Sequence, residues 1–477
     1  MKNLISTKIT NKTMLLFCFI ILPFTNLLSQ NPNPNAALDN FIQDEMNFER
    51  FPGASTIIVK DGKIVWVASY GFADVANAIA VQDHTVFLLA SMSKVFTGTA
   101  AMQLHQSGEV DLDADIDNYL PFPIDIPNYT NDPITLRQLM THSASIDDNY
   151  AVMDTYYGYP DPTITLEDCI ERYFSTSGAD YNASANFTNN APGTNYKYSN
   201  MGTALNGFIT EAASGMPFDD FCDINIFDPL CMENTAWHFS DFDPDDVARP
   251  YSYQGGNYIA YQHYGFADYP DGQLRSTVMD LGNFMIAYLN GGTLGDNSIL
   301  SPDSINEMWS SQIPGLDPTQ GLNWYQEFFG AATLWGHNGG EAGVSTDMYL
   351  DPINNIGICV LTNGEGDAFA ICEELYQYAL TLNSNTGITP ICDYLEIEDE
   401  GNIDTEIEFY PNPVKDFVII DTKTNENVGY EIYSITGKLL ASGIINNSNN
   451  KINLTGFPPA IYLLKIKNNT YKLVKTD

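Results

Sequence analysis

The position of the strand-like runs constrains this fold most. Residues 54–60 and 63–70 are alternating apolar runs, joined by Asp61-Gly62, a strong two-residue hairpin signal. Further runs of this kind, 331–335, 344–350 and 356–361, return only near the far end of the same segment, followed by a helical pattern near 368–382. Between them lie a helical pattern from about 93 to 106, ending at Gly108, and a Tyr/Asp/Pro/Asn-rich stretch, 147–193. That stretch reads as loop with one helical piece around 166–173. Hairpin first, helices in the middle, strands and a helix last predict one sheet built from both ends of the segment, with a helical lobe inserted. A segment of about 355 residues exceeds what one core usually supports, so two lobes and a cleft between them are expected.

The flanks differ from this body. Residues 1–29 carry Lys2, Lys8 and Lys12, no acid, and nine consecutive apolar residues at 14–22. That run is too short to span a bilayer and reads as a signal peptide. Residues 386–408 read as an acidic linker, with eight acids and no base between Asp393 and Glu408. Beyond it Lys returns, Arg is absent, and short alternating runs with Asn/Gly turns predict a small all-β sandwich over 409–477.

Charge follows the same division. Residues 30–401 hold 9 bases against 52 acids, a net −43, whereas 402–477 balance to zero. A body that anionic repels phosphate backbones, which argues against nucleic acid as a partner. Six cysteines remain outside the export signal, enough for three disulfides in 15 connectivities. Cys222 and Cys231 are spaced for a local bridge, and Cys359 reads as a buried core thiol. There is no CxxC, no HExxH and no Cys/His cluster, so neither a metal nor an organic cofactor is expected.

Three short elements carry possible chemistry. Ser91 and Lys94 stand one helical turn apart at the start of a helix, where a neutral amine can accept a hydroxyl proton and the helix N-terminus favours an oxyanion. Tyr198-Ser199-Asn200 places a phenol and an amide on one side if extended, and His337-Asn338-Gly339 closes an apolar strand. None is distinctive alone. Ser448–Lys451 repeats the first spacing, Tyr129, Tyr288 and Tyr410 also begin Tyr-x-Asn, and His263-Tyr264-Gly265 repeats the third. A capping serine, turn residues and a strand-end histidine account for each element taken singly.

The flanking sequence separates these readings. Ser91–Lys94 sits in HTVFLLASMSKVFTGTA, followed in order by ITLRQLMTHSASI, PGTNYKYSNMGTAL, PDGQLRSTVMDLGNFM, GGTLGDNSILSP and LWGHNGGEAGVSTDMYLDP. In that order the segment resembles the serine β-lactamase-like superfamily: class C β-lactamases, DD-peptidases and related esterases. The resemblance covers roughly 40–385. It implies an α/β (α+β) β-lactamase/transpeptidase-like fold, an antiparallel sheet flanked by helices with a helical lobe, over a domain drawn at 36–385. It also implies catalytic roles for Ser91, Lys94 and Tyr198. Substrate binding would fall to Asn200, His337, Gly339 and Gly340, with the oxyanion on the N–H groups of Ser91 and Gly340.

Two departures stand out. The family's His-Thr-Ser-Gly appears as His142-Ser143-Ala144-Ser145, which loses a turn glycine, so a different loop is expected there. His337 replaces the lysine that β-lactamases set against a substrate carboxylate, and a histidine is mostly uncharged at neutral pH. No GxSxG elbow exists, which removes the α/β-hydrolase reading.

FYPNPVKDFVII, YEIYSITGKLLASG and INLTGFPPAIYLLKI, with the Lys-rich end, resemble the C-terminal sorting domain of the Bacteroidetes type IX secretion system. This implies a Gram-negative bacterium, outer-membrane translocation by that machinery, and release or cell-surface attachment. The resulting expectation is a secreted serine hydrolase, esterase- or peptidase-like, acting on a small ester, amide or peptide. A β-lactamase or D-alanyl-D-alanine carboxypeptidase is the alternative within the class, and a non-catalytic binding protein the alternative outside it. Tyr150, Tyr156, Tyr157 and Tyr159 are candidates to line the cleft and set specificity.

Overall fold

A computed structural model describes residues 31–390, 392 and 408–475, apart from the short stretches 411–413, 416, 422–427, 435–438, 446–449, 458–459 and 467–468. The signal segment and, of the linker, residues 391 and 393–407 lie outside the described residues. The chain divides into two compact units, 1–392 and 393–477.

The first unit opens with α1 (Ala36–Glu49), capped by the Asn35 side chain on the backbone of Ala37 and Leu38. The hairpin follows as β1 (Gly53–Lys60) and β2 (Lys63–Asp74). Asp61 and Gly62 both take positive φ, 51° and 73°, as a two-residue turn matched to strand twist requires. The sheet continues with a short β3 (Ile79–Ala80) and, from the far end of the unit, β4 (Tyr325–Phe329), β5 (Ala332–Glu341), β6 (Val344–Asp351) and β7 (Ile356–Thr362). Its order is β4-β5-β6-β7-β1-β2-β3. The two halves join where β1 pairs antiparallel with β7, Ile57 opposite Cys359.

Alternation along the strands divides the core. Ile57 and Val59 face the helical lobe, while Ile58 and Val65 face α1 and α5 (Phe369–Thr381). The lobe is centred on α2 (Lys94–Ser107), buried over Lys94–Met102, which packs against α3 (Asn200–Ser214). On the lobe side of the sheet, α4 (Val278–Leu289) covers β1 and β7. α2 ends where expected, at Gly108 in the left-handed region.

Cys231 pairs with Cys392, not with Cys222, which is buried and free, as are Cys169, Cys359 and Cys372. The local bridge expected from spacing is therefore corrected. Cys222 ends a helix and is buried in the core, while Cys231 closes the turn Asp228–Leu230 and meets Cys392 there.

The second unit holds a three-stranded sheet (Glu408–Tyr410, Phe417–Asp421, Lys451–Asn453) and a four-stranded one (Leu439–Ile445, Val428–Ser434, Ala460–Ile466, Asn469–Lys475). Val418, Ile452, Ile432 and Leu464 bring both sheets to one apolar cluster.

Candidate active site

Three segments meet where α2 begins. The first is a 3-10 turn, Ala90–Ser93, running directly into α2. Ala90 has φ 51°, a left-handed conformation costly for a residue with a Cβ. Neighbours hold it there. Ser93 Oγ donates to Ala90 O (2.7 Å) and accepts from Leu274 N (3.1 Å), and Thr346 Oγ1 donates to Leu89 O (2.6 Å). Ser91 is left half-buried at the mouth of the turn.

Lys94 is fully buried. Its Nζ donates to Ser91 Oγ (3.1 Å), Asn200 Oδ1 (2.8 Å) and the backbone oxygen of Asp271 (2.6 Å). Three acceptors match the three protons of an ammonium. Burial pushes Lys94 down, but Tyr198, Asp271 and Asp148 outweigh it and leave its pKa above the ordinary lysine value.

The second segment is the entry to α3. Ser199 caps the helix, accepting from Gly202 N, and donates to Asp148 Oδ1 (2.8 Å). Asp148 also takes the N–H groups of Asn200 (2.8 Å) and Met201 (3.1 Å), which fixes Asn200 beneath Lys94. Burial raises the Asp148 pKa even though these donors and Lys94 favour the carboxylate. Tyr198 lies with its ring centroid 5.0 Å from Lys94 Nζ and 4.3 Å from the His142 ring. His142 Nδ1 accepts from Ser199 N (3.3 Å), placing its proton on Nε2. Burial, then the charges of Lys94 and His337, hold it well below the usual histidine value.

The third segment is β5. Its register with β6 continues to Glu341, whereas β4 pairs it only as far as Gly336. Among the described residues no strand pairs with the edge beyond. Asn338 N donates across it to Tyr325 Oη (3.0 Å), so by strand alternation the N–H of Gly340 faces the same free edge. Gly339 sits where a Cβ would overlap Leu89 O and Thr346 Oγ1, which lets the strand press against the Ser91 turn. His337 is buried, and its Nδ1 lies 2.6 Å from Asn338 O. The carbonyl can only accept, so Nδ1 carries the proton and Nε2 is bare. Burial, then Lys94, lowers its pKa to about 3.

Ser91, Lys94, Tyr198, Asn200, His337, Gly339 and Gly340 are thus brought together. Of the four tyrosines, Tyr156 is a core residue bonded to Asp180, and Tyr159 is exposed. Tyr157 packs beside Ala90 with Tyr264 and Phe266, and Tyr150 feels the charges of Asp148, Asp271 and Lys94. The loop at 142–145 keeps a tight turn without the glycine. Ser145 takes φ 63°, so the change is absorbed as backbone strain.

Asp148, Asp271 and Tyr325 are not singled out by the sequence reading. Two of them are acids in an acid-rich body, and no local pattern marks them. Among the described residues no group of three or more His, Cys, Asp or Glu is placed to hold a metal ion.

The family model described as Beta-lactamase matches residues 38–383, and that of the Secretion system C-terminal sorting domain matches 408–476. The chain is 24% identical to Protein flp of Staphylococcus aureus over 336 residues, 68% of this chain and 62% of that protein; it thus spans less than two thirds of that relative. It is 26% identical over 375 residues to a "Putative D-alanyl-D-alanine carboxypeptidase" of Escherichia coli O157:H7, 68% of this chain and 81% of the relative. The fold matches the D-amino acid amidase of Ochrobactrum anthropi SV3 with TM-score 0.57 and 23% identity, over 72% of this chain and 99% of that one.

Proposed function

The chain belongs to the beta-lactamase family of serine hydrolases, and on that premise we propose that it cleaves an ester or amide through an acyl-enzyme on Ser91. One observation carries the reading. A fully buried Lys94, with every proton committed, lies 3.1 Å from the half-exposed Ser91 hydroxyl.

In this reading Ser91 Oγ attacks the substrate carbonyl and its proton passes to the Lys94–Tyr198 pair, which holds one proton fewer in the reactive form. The N–H groups of Ser91 and Gly340 receive the oxyanion. Collapse expels the leaving group, which takes the proton from the pair. Water then gives its proton to the pair and attacks the acyl carbon, and Ser91 departs reprotonated. Asn200 holds Lys94 and borders the substrate.

His337 supports an esterase or peptidase reading over a β-lactamase or D-alanyl-D-alanine carboxypeptidase. A neutral ring with bare Nε2 accepts from a substrate N–H or O–H and repels a carboxylate. The C-terminal unit would be the address read by the type IX secretion machinery, with the hydrolase released outside the cell or held at its surface.

Intact-mass spectrometry with a fluorophosphonate tests the nucleophile. Wild type gains one adduct and Ser91→Ala none. Absence of label on folded wild type overturns the reading and leaves a non-catalytic binder.

A further inference from the structure

Past Gly340 the strand carries a carboxyl, Glu341. Alternation puts Glu341 on the same face of β5 as His337 and Gly339. The turn Tyr269–Asp271 reaches Lys94 through the Asp271 backbone oxygen. Asp271 is 4% exposed, and no described residue donates to its carboxyl. Lys94 does not supply that bond, because its protons go to Ser91, Asn200 and the Asp271 backbone. Asp268 is 3% exposed, and its Oδ1 has no hydrogen-bond partner. An unpartnered carboxylate oxygen this deep is costly unless something else satisfies it. Burial raises both pKa values, with Asp268, Asp148 and Glu341 adding at Asp271 and Asp148 and Glu341 at Asp268, while the Lys94 charge opposes the rise at both.

The wall beside these groups is aromatic. Tyr264 and Phe266 form one apolar cluster with Leu88 and Ala90, and Tyr157 packs on it with ring centroids 5.8 Å and 5.3 Å from theirs. A Cβ on Gly272 would stand 3.2 Å from Phe266 and 3.5 Å from Ala90. The wall therefore adjoins the residue before Ser91. Unpaired carboxyls beside aromatic faces are the chemistry that recognises an organic cation.

We propose that Asp271, with Asp268 and Glu341 behind it and the Tyr157/Tyr264/Phe266 wall beside it, forms a subsite for an alkylammonium group on the part of the substrate lying on the Glu341 side of the scissile carbonyl. The proposal rests on the acyl-enzyme reading and adds a substrate class to it. Lys94 already faces these carboxyls with one positive charge, and the substrate cation adds a second.

The test compares the p-nitrophenyl ester of a trimethylammonium-terminated butyric acid with its uncharged tert-butyl isostere. Full-length protein is assayed at about 0.5 M salt, which screens the general pull of an anionic surface. Wild type should favour the cationic ester by about tenfold or more in kcat/KM, and in Asp271→Asn the ratio should fall to within about twofold of unity. Glu341→Gln should lower the ratio partway, and it decides with wild type if Asp271→Asn does not fold. A wild-type ratio near one, or a ratio unchanged in folded Asp271→Asn, overturns the proposal. Calorimetric binding of both esters to Ser91→Ala separates the two readings. Preference for the cation there, with no turnover or labelling of wild type, keeps the subsite and removes the acyl-enzyme, and equal binding removes the subsite.

Discussion

The backbone oxygen of Asp271 lies 2.6 Å from Lys94 Nζ and takes the third of that group's protons. With Ser91 and Asn200 taking the others, Lys94 rests as an ammonium and cannot accept the Ser91 proton until the Lys94–Tyr198 pair has lost one. Because the Lys94 pKa lies above its ordinary value, that loss is favoured by rising pH. For an uncharged ester, kcat/KM should climb from about pH 6 to about pH 9, and Tyr198→Phe should lose about 100-fold or more. A flat pH–rate profile would mean that Lys94 rests as a free amine.

Asp148 touches no substrate in the proposed mechanism. It holds the α3 entry through Ser199, Asn200 and Met201. Asp148→Asn presents an amide N–H₂ to one of those donors, which should displace Asn200 and with it Lys94. The expected result is a fall in kcat of about tenfold to 100-fold. The KM for a small ester should stay within about twofold and the fold should remain intact, as read by steady-state kinetics with a melting curve. An equal loss in kcat and thermal stability would reduce Asp148 to a helix cap.

His337 should not titrate in the range where histidines usually do. With its pKa lowered to about 3, the ring stays neutral from about pH 5 to about pH 9, protonated on Nδ1. Long-range ¹H–¹⁵N correlation spectra should show that tautomer with constant shifts. Movement near about pH 6.5 would return His337 to the ordinary exposed class and reopen carboxylate recognition.

Ser145 stores strain at φ 63° and also bonds through Oγ to Ala191 O (3.1 Å). Glycine and alanine both remove that bond, and only glycine relieves the strain. Ser145→Gly should therefore be more stable than Ser145→Ala by about 1 kcal/mol in urea unfolding. Equal stability would show the turn to be unstrained.

Asp347 stands on β6 opposite Asn338 of β5 and accepts from Tyr349 Oη (3.1 Å), and burial, followed by Asp367 and Glu327, raises its pKa to about 8. Between the unfolded carboxyl value and this one, the folded state holds a proton that the unfolded state releases, so stability falls as pH rises through that window. Asp347→Asn should be nearly neutral at about pH 4 and stabilising by about 3 kcal/mol at pH 8. Parallel melting curves for the two proteins across this range would show that Asp347 does not hold the proton.

What the sequence made legible depended on periodicity and flanks. The hairpin at Asp61-Gly62 and the late strand runs foretold one sheet built from both ends of the unit, because alternation and turn chemistry are local, whereas the junction of β1 with β7 is visible only in the fold. β4 was not foreseen, since an edge strand such as YQEFF at Tyr325–Phe329 is only partly buried and lacks clear alternation. Ser91, Lys94 and Tyr198 emerged from ordered motifs. Asp148 and Asp271 did not, because their importance lies in which backbone groups they meet across the fold. The Cys231–Cys392 pairing was likewise out of reach, 161 residues apart.

That bond has a consequence for how the molecule is finished. Cys392 is the last residue of the first unit, and its sulfur is fastened to the turn that Cys231 closes within that unit. A protease that clips the chain after this clasp leaves a hemmed edge that cannot fray back into the catalytic unit. The address label can be torn off while the parcel stays sealed.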